Sequence, residues 1–237
     1  MDIEYTLGAF SDPHGNLPAL QSVLEDMMTK YPVTKLACLG DIVGYYSQPN
    51  QVLAQVLEVS DWVVKGNHDD SAAQGIIGQD YNLYAAKGLE YSIKVLSVEE
   101  KRRLYSLPAM ETVNMNGKVV EFLHGSPEYP LDQYVFDNTQ TQAEIAQFMT
   151  FVNIDILFMG HTHLPYIRQF SDGKIMVNPG SAGQPRDGDP RVSYVAFDAE
   201  KGLGVIERVK YDIEQAVSLT KEAGLPDQLG ERLRRGR

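Results

Sequence analysis

Five short apolar runs in this 237-residue chain each stop at a glycine-bearing turn that carries a histidine, a carboxylate or both. The runs are 5–10, 35–39, 62–65, 119–123 and 154–159. The turns are Ser11-Asp12-Pro13-His14-Gly15, Gly40-Asp41, Gly66-Asn67-His68-Asp69, His124-Gly125 and Gly160-His161-Thr162-His163. Short β-branched runs alternating with helical patterns predict an α/β fold. In open α/β sheets ligands bind beyond the carboxyl ends of the strands. Turns far apart in sequence are therefore expected to meet at one sheet edge. Three more strands are predicted at 174–177, 193–197 and 204–210.

Apolar spacing predicts a helix over 17–30, with Leu20, Val23, Leu24 and Met27 on one face. A second is expected over 51–59, capped by Asn50. Residues 82–107 read as helical, and Ser97-Val98-Glu99-Glu100 reads as a capping box that opens a new helix within them. Further helices are expected over 142–152 and 213–223. The reading is one domain over 1–237, with a helical insertion at about 71–110 beside the site. The tail 232–237 is locally basic and reads as a solvated terminus rather than a phosphate-binding arm.

The net charge of −11 disfavours tight binding to long nucleic acid, whose partners are usually basic. It leaves room for a small phosphorylated substrate, because bound cations change the local charge. The single cysteine, Cys38, sits in an apolar run and reads as a buried small hydrophobe. Met1-Asp2-Ile3-Glu4 lacks the pattern of a signal peptide, and no apolar run reaches membrane-spanning length. The expectation is a cytoplasmic protein without a membrane partner; its oligomeric state is left open.

All five histidines lie in the turns, and imidazole with carboxylate is a usual ligand set for divalent transition metals. Residues two apart at an extended strand end share a face. On that basis Asp12 with His14, and His161 with His163, can each reach one ion. Pro13 is expected to bias Asp12 toward an extended conformation. Each turn taken alone has an ordinary structural reading, such as an Asp cap or a surface histidine pair. Their joint occurrence is what points to a metal site.

The order Asp-x-His, Gly-Asp, Gly-Asn-His-Asp, His-Gly, Gly-His-x-His resembles the calcineurin-like metallophosphoesterases. Gly40-Asp41-Ile42-Val43-Gly44-Tyr45, His124-Gly125-Ser126-Pro127 and Asn178-Pro179-Gly180-Ser181 are similar to the small bacterial and archaeal phosphodiesterase branch. The resemblance implies two mixed β-sheets packed as a sandwich with helices outside and the metal site at strand C-terminal ends. It implies one ion on Asp12, His14 and His163, a second on Asn67, His124 and His161, and Asp41 bridging them. His68 would be catalytic, protonating or stabilising the leaving group without binding metal. Two divalent ions are implied, with manganese preferred and iron, zinc, cobalt or nickel as alternatives. A hydroxide bridging them would be the nucleophile.

The sequence departs from the protein-phosphatase pattern twice. Gly44 stands where a carboxylate would orient the catalytic histidine, so Asp69, Asp70 or a backbone carbonyl is left to orient His68. The phosphoryl-clamping arginine after the bridging aspartate is replaced by Gly44-Tyr45-Tyr46. Arg186 could partly replace the clamp, or be a solvated loop residue. Tyr45 and Tyr46 could stack on a base, or pack in the core. The functional expectation is a metal-dependent phosphodiesterase on a small phosphorylated or nucleotide substrate. A phosphomonoesterase, a dinucleoside-polyphosphate hydrolase and a non-catalytic scaffold of the same fold are the alternatives.

Overall fold

The computed structural model describes residues 6–137 and 139–237. Tyr5, the expected first residue of the first strand, and the amino-terminal Met1–Glu4 segment lie outside the described residues.

Two five-stranded mixed sheets face each other. The first has the order β10-β9-β1-β2-β3, built from β1 (Leu7–Phe10), β2 (Lys35–Cys38), β3 (Trp62–Val63), β9 (Val192–Asp198) and β10 (Leu203–Val209). The second has the order β4-β5-β6-β8-β7, built from β4 (Met110–Met115), β5 (Lys118–Leu123), β6 (Ile156–Phe158), β7 (Tyr166–Gln169) and β8 (Ile175–Asn178). β1, β2 and β3 are parallel, as are β5, β6 and β8. Their carboxyl ends therefore share one edge of the sandwich. Leu7, Ala37, Phe122, Phe158, Val177 and Phe197 fill the space between the sheets. Phe158 meets Phe197 of the opposite sheet edge to face, ring centres 5.3 Å apart.

Helices cover the outer faces. α1 (Leu17–Lys30) is capped by Asn16, and its expected stripe of Leu20, Val23, Leu24 and Met27 is buried on the first sheet. α2 (Pro49–Val59) starts earlier than expected. Asn50 lies inside it and donates to Glu100 and to the Val95 carbonyl instead of capping. α4 (Leu83–Val95) and α5 (Val98–Ser106) divide at Ser97, where the expected capping box forms. α6 (Thr139–Phe151) covers the second sheet, burying Ile145 and Met149. α7 (Ile213–Glu222) matches its expected position.

Four elements depart from the sequence reading. The Gly-Asn-His-Asp turn does not stay a turn: Asn67 opens α3 (Asn67–Gln74), and the Asp69 carboxylate accepts from the Gly66 amide ahead of its first turn. β4 and β7 were not expected; both are antiparallel edge strands, and β4 alternates exposed with half-buried residues, a weak apolar signal. The basic tail is no solvated terminus. It forms α8 (Asp227–Arg235), whose Leu229 and Leu233 are buried against Tyr45 and Tyr46. Its arginines alternate with those leucines, and the charge pattern masked a helical stripe.

Candidate metal centre and cleft

Seven residues expected as ligands come from five loops at the shared strand edge. Three groups of side chains have ligand atoms mutually within 4.8 Å: Asp12, His14 and His163; His14, Asp41 and His68; and Asp41, His124 and His161. All of these residues are buried.

The backbone does not reach this arrangement by extension. Asp12 (φ 56°), His14 (φ 48°), Asp41 (φ 52°), His161 (φ 66°) and His163 (φ 60°) are all left-handed. This corrects the expectation that Pro13 holds Asp12 extended. The reason lies in the hydrogen bonding. The Asp12 amide donates to the Gly40 carbonyl, His14 to Asp41 and Gly15 to Ile42, so the two loops zip together beyond their strands. Left-handed residues with side chains cost about 1–3 kcal/mol each and persist only where the surroundings over-determine them. Here Asn178 donates to the Gly160 carbonyl (2.7 Å) and the Thr162 hydroxyl (3.1 Å) and accepts from the Gly180 amide (2.9 Å). The Ser181 hydroxyl donates to the Asp12 carbonyl at 2.8 Å. The Asn178-Pro179-Gly180-Ser181 segment thus clamps two ligand loops at once. Its sequence similarity was legible, but nothing in it announced the brace.

The histidine tautomers are fixed by carbonyls, which can only accept. His14 Nδ1 faces Val43 O (3.0 Å), His163 Nδ1 faces Gln184 O (2.5 Å), His124 Nδ1 faces Leu39 O (2.7 Å) and His161 Nε2 faces Asp132 O (3.1 Å). In each neutral ring the other nitrogen is then a lone pair. These lone pairs point at one another: His14 Nε2 lies 3.3 Å from His163 Nε2, and His124 Nε2 lies 3.0 Å from His161 Nδ1. Neutral pairs of this kind repel unless a metal ion, or at His124 a proton, lies between them. The carboxylates complete the set. Asp12 Oδ2 accepts from the His161 amide and Asp41 Oδ1 from the His68 amide. That leaves Asp12 Oδ1 buried without a hydrogen-bond partner, and Asp41 Oδ2 at 3.5 Å from His14 Nε2 and 3.3 Å from His124 Nε2. Asp41 stands between the two histidine pairs. The donor set fits divalent cations.

Asn67 belongs to the same rim. Its amide nitrogen donates to the Tyr81 hydroxyl at 2.9 Å, leaving Oδ1 buried and unpartnered. Tyr81 carried no sequence signal for this part.

The charges follow from this packing. Burial lowers the pKa of His14, of His68 to about 4, of His161 to about 3, and of His163, where Arg186 adds to the effect. Burial acts in the same direction on His124, but Asp41 and Asp12 outweigh it and push that ring up to about 9. Burial would raise the Asp41 carboxyl, yet His124 and His68 hold it well below its usual range. Asp69 is raised to about 7 by burial and the nearby Asp41.

His68 is packed between rings. It stacks on Tyr45 (centres 5.0 Å) and meets Tyr81 (5.0 Å) and His14 (4.7 Å) edge to face. None of the three expected orienting groups reaches it. Asp69 accepts from the Val43 and Gly66 amides, Asp70 pairs with Lys65, and His68 Nδ1 has no hydrogen-bond partner. The missing carboxylate at position 44 has a steric reason. A β-carbon on Gly44 would lie 2.3 Å from His68 Nδ1. Aromatic packing holds the ring where other members of the resembled pattern use a carboxylate.

Arg186 is half-buried and donates to Tyr45 Oη (3.2 Å) and Gln184 Oε1 (2.8 Å). It is no freely solvated arginine. Tyr46 is 1% exposed, which rules out a surface for stacking a base; its hydroxyl accepts from Gln184 Nε2 at 3.0 Å. Tyr46 therefore braces the residue that holds both His163 and Arg186. Tyr45, His68 and His161 line a cleft of about 630 Å³ that runs outward between α3, α4 and the loop holding Asp132 and Tyr134. No helix among the described residues is long and apolar enough to cross a membrane.

Comparison with known proteins agrees with this geometry. The calcineurin-like phosphoesterase superfamily domain matches residues 6–202. An uncharacterised protein of Methanocaldococcus jannaschii is 35% identical, with 99% of this chain and all of that protein covered. A crystal structure of a metallophosphoesterase from Sphaerobacter thermophilus superposes with a TM-score of 0.82 at 31% identity, covering 98% of both chains. A hypothetical protein from Pyrococcus horikoshii shares the fold, with a TM-score of 0.87 at 22% identity over 98% of both chains.

Proposed function

The chain belongs to the calcineurin-like phosphoesterase superfamily, and on that premise we propose that it is a dinuclear-metal-dependent phosphodiesterase acting on a small phosphorylated substrate. The observation that carries the reading is the set of four carbonyl-fixed imidazoles whose lone pairs converge on Asp12 and Asp41. Asp12, His14 and His163 would hold one ion, and Asn67, His124 and His161 the other, with Asp41 between. Mixed nitrogen and oxygen donors suit manganese, with iron, zinc, cobalt or nickel as competitors. Two divalent ions in such a site supply Lewis acidity and make water nucleophilic near neutral pH.

The residues of the chain then do the remaining work. Arg186, oriented by Tyr45 and Gln184, offers a guanidinium to a non-bridging phosphoryl oxygen. It stands in for the arginine missing after Asp41. His68, stacked on the same Tyr45, lines the cleft and offers a ring N–H to the departing oxygen. One guanidinium suits a diester monoanion better than a monoester dianion, which favours the diesterase over the monoesterase. The full ligand set and the caged His68 favour an enzyme over a scaffold that has lost chemistry.

The test is turnover of protein reloaded with manganese, iron, zinc, cobalt or nickel on paired mono- and diester substrates, with metal counted per chain. Two ions and faster diester hydrolysis are expected. One ion per chain after reloading, or no hydrolysis with any metal, overturns the reading.

A further inference from the structure

The cleft beside His68 carries information about the substrate that the metal centre does not. Its lining contains Asp70, Asp80 and Asp132, and no lysine or arginine. Lys65 pairs with Asp70 at 2.8 Å. Asp80 and Asp132 make no ion pair among the described residues and are exposed, one before α4 and one in the loop after β5. Tyr81 and Tyr134 line the same cleft; Tyr134 stacks on His161 with centres 3.8 Å apart and is 47% exposed. Among the described residues, the one cation that reaches this lining without a carboxylate partner is Arg186, which donates to Tyr45 Oη at 3.2 Å and acts on Tyr134 and His68, at the end of the cleft next to the metal ligands.

We infer that the departing alcohol of the substrate is uncharged or cationic, and that the cleft excludes an alcohol bearing its own phosphate or carboxylate. The inference rests on the phosphodiesterase reading and narrows its substrate class. The attacked phosphate sits at the metal centre, where cations hold it. The leaving group then extends past His68 into the cleft, because His68 stands in the ligand cluster and lines the cleft as well. Arg186 is engaged by the attacked phosphate, so a second anion further out meets the carboxylates of Asp80 and Asp132 with no cation left to offset them, and like charges brought together disfavour binding. Neutral hydroxyls can bond to Asp80, Asp132 and Asn82, and an ammonium gains from the same carboxylates and from the tyrosine faces. The reaction is balanced by water alone. The phosphorus–oxygen bond to the alcohol breaks, a water oxygen replaces it, and one water proton ends on the alcohol. A simple diester is favoured over a dinucleoside polyphosphate, which would push further phosphates into this cleft.

The experiment compares three methyl phosphodiesters whose second alcohol is choline, 3,3-dimethylbutanol or 2-hydroxyethyl phosphate. Metal-loaded protein is used, and methyl phosphate release is followed by phosphorus NMR. The choline ester should be hydrolysed at least as well as its neutral isostere, and the phosphorylated alcohol at least about tenfold less well in kcat/KM. Asp80→Asn and Asp132→Asn should each raise kcat/KM for the phosphorylated ester by about two- to fivefold, the scale of one partly exposed charge interaction. A gain of activity cannot come from misfolding. Equal hydrolysis of all three esters, or no gain in the double variant, overturns this inference and leaves the phosphodiesterase standing. No hydrolysis of any ester overturns both.

Discussion

Gly88 of α4 lies so close beneath Tyr45 that a β-carbon on it would sit 2.3 Å from the Tyr45 α-carbon and amide nitrogen. The contact ties α4 to the centre. Tyr45 stacks on His68 and receives a hydrogen bond from Arg186, and Ser92 of the same helix accepts from the Gly44 amide at 3.1 Å. The region between β3 and β4 is a wall of the site as well as a neighbour of it.

This contact reverses an ordinary substitution rule. Gly→Ala inside a helix usually stabilises by up to about 1 kcal/mol. Gly88→Ala should instead destabilise by about 1–3 kcal/mol, because it overpacks against backbone that cannot rotate away. Denaturant unfolding measures this. A stabilised Gly88→Ala would show that α4 does not press on Tyr45.

The brace on the ligand loops gives a second expectation. Asn178→Ala leaves the buried Gly180 amide without its partner and takes one of two donors from the Gly160 carbonyl, which keeps the Thr162 amide. The cost should be about 1–3 kcal/mol of stability. Loss of such a support should also weaken metal affinity by roughly 10–100-fold, although Asn178 touches no ligand atom expected to meet the metal. Competition with a chromogenic chelator reads the affinity. Unchanged affinity would mean that the left-handed turns at His161 and His163 hold themselves.

Much of this was legible in sequence for a physical reason. Strand ends and ligand turns are local: an apolar run, a glycine and a histidine are visible within ten residues. What supports them is not local. The Asn178 clamp reaches back to Gly160 and Ser181 to Asp12, 169 residues away. The left-handed Asp12 could not be read from Pro13, which restricts its neighbour toward extension; the zipped contact with Gly40 and Asp41 overrides that preference. The basic tail misled because charge is a composition signal, while the burial of Leu229 and Leu233 depends on Tyr45 and Tyr46. Gly44 was seen as a missing carboxylate, and only the packed structure shows that His68 occupies the space one would need.

Metal loading should displace a proton. In the metal-free protein His124, raised to about 9 by Asp41 and Asp12 against the effect of burial, is protonated at neutral pH. The other ligand histidines have lowered pKa values and bring no proton. Calorimetric titration in buffers of different ionisation enthalpy should find about one proton released per chain near pH 7.5. The sign for stability is also set. A histidine raised above its unfolded pKa of about 6.5 stabilises the fold below that pH, and the contribution fades as pH rises toward 9. Metal-free protein should therefore lose stability between pH 7 and 9, and metal-loaded protein should not. No proton release would place the charge elsewhere.

The last prediction separates His68 from the metal ligands. His68 has a ring nitrogen near His14 and Asp41, so proximity alone would allow it to coordinate. It is also held to a pKa of about 4 by burial, so at neutral pH it acts on the leaving oxygen as an N–H donor unless the bound phosphate recharges it. His68→Ala should keep two ions per chain. Its kcat should fall by roughly 10²–10³-fold on an alkyl diester, the scale of one lost donor to a developing oxyanion. The fall should be much smaller on a nitrophenyl diester, whose leaving group needs little help. Equal losses on both esters, with both ions present, would make His68 a stabiliser of phosphoryl charge. Loss of an ion would instead place His68 in the ligand set, and the unpartnered Oδ1 of Asn67 would then need another role. Tyr45→Phe is the control, since it removes the hydroxyl that receives the Arg186 hydrogen bond and keeps the ring that stacks on His68. It should lower both esters alike, because Arg186 serves the phosphate and not the leaving group.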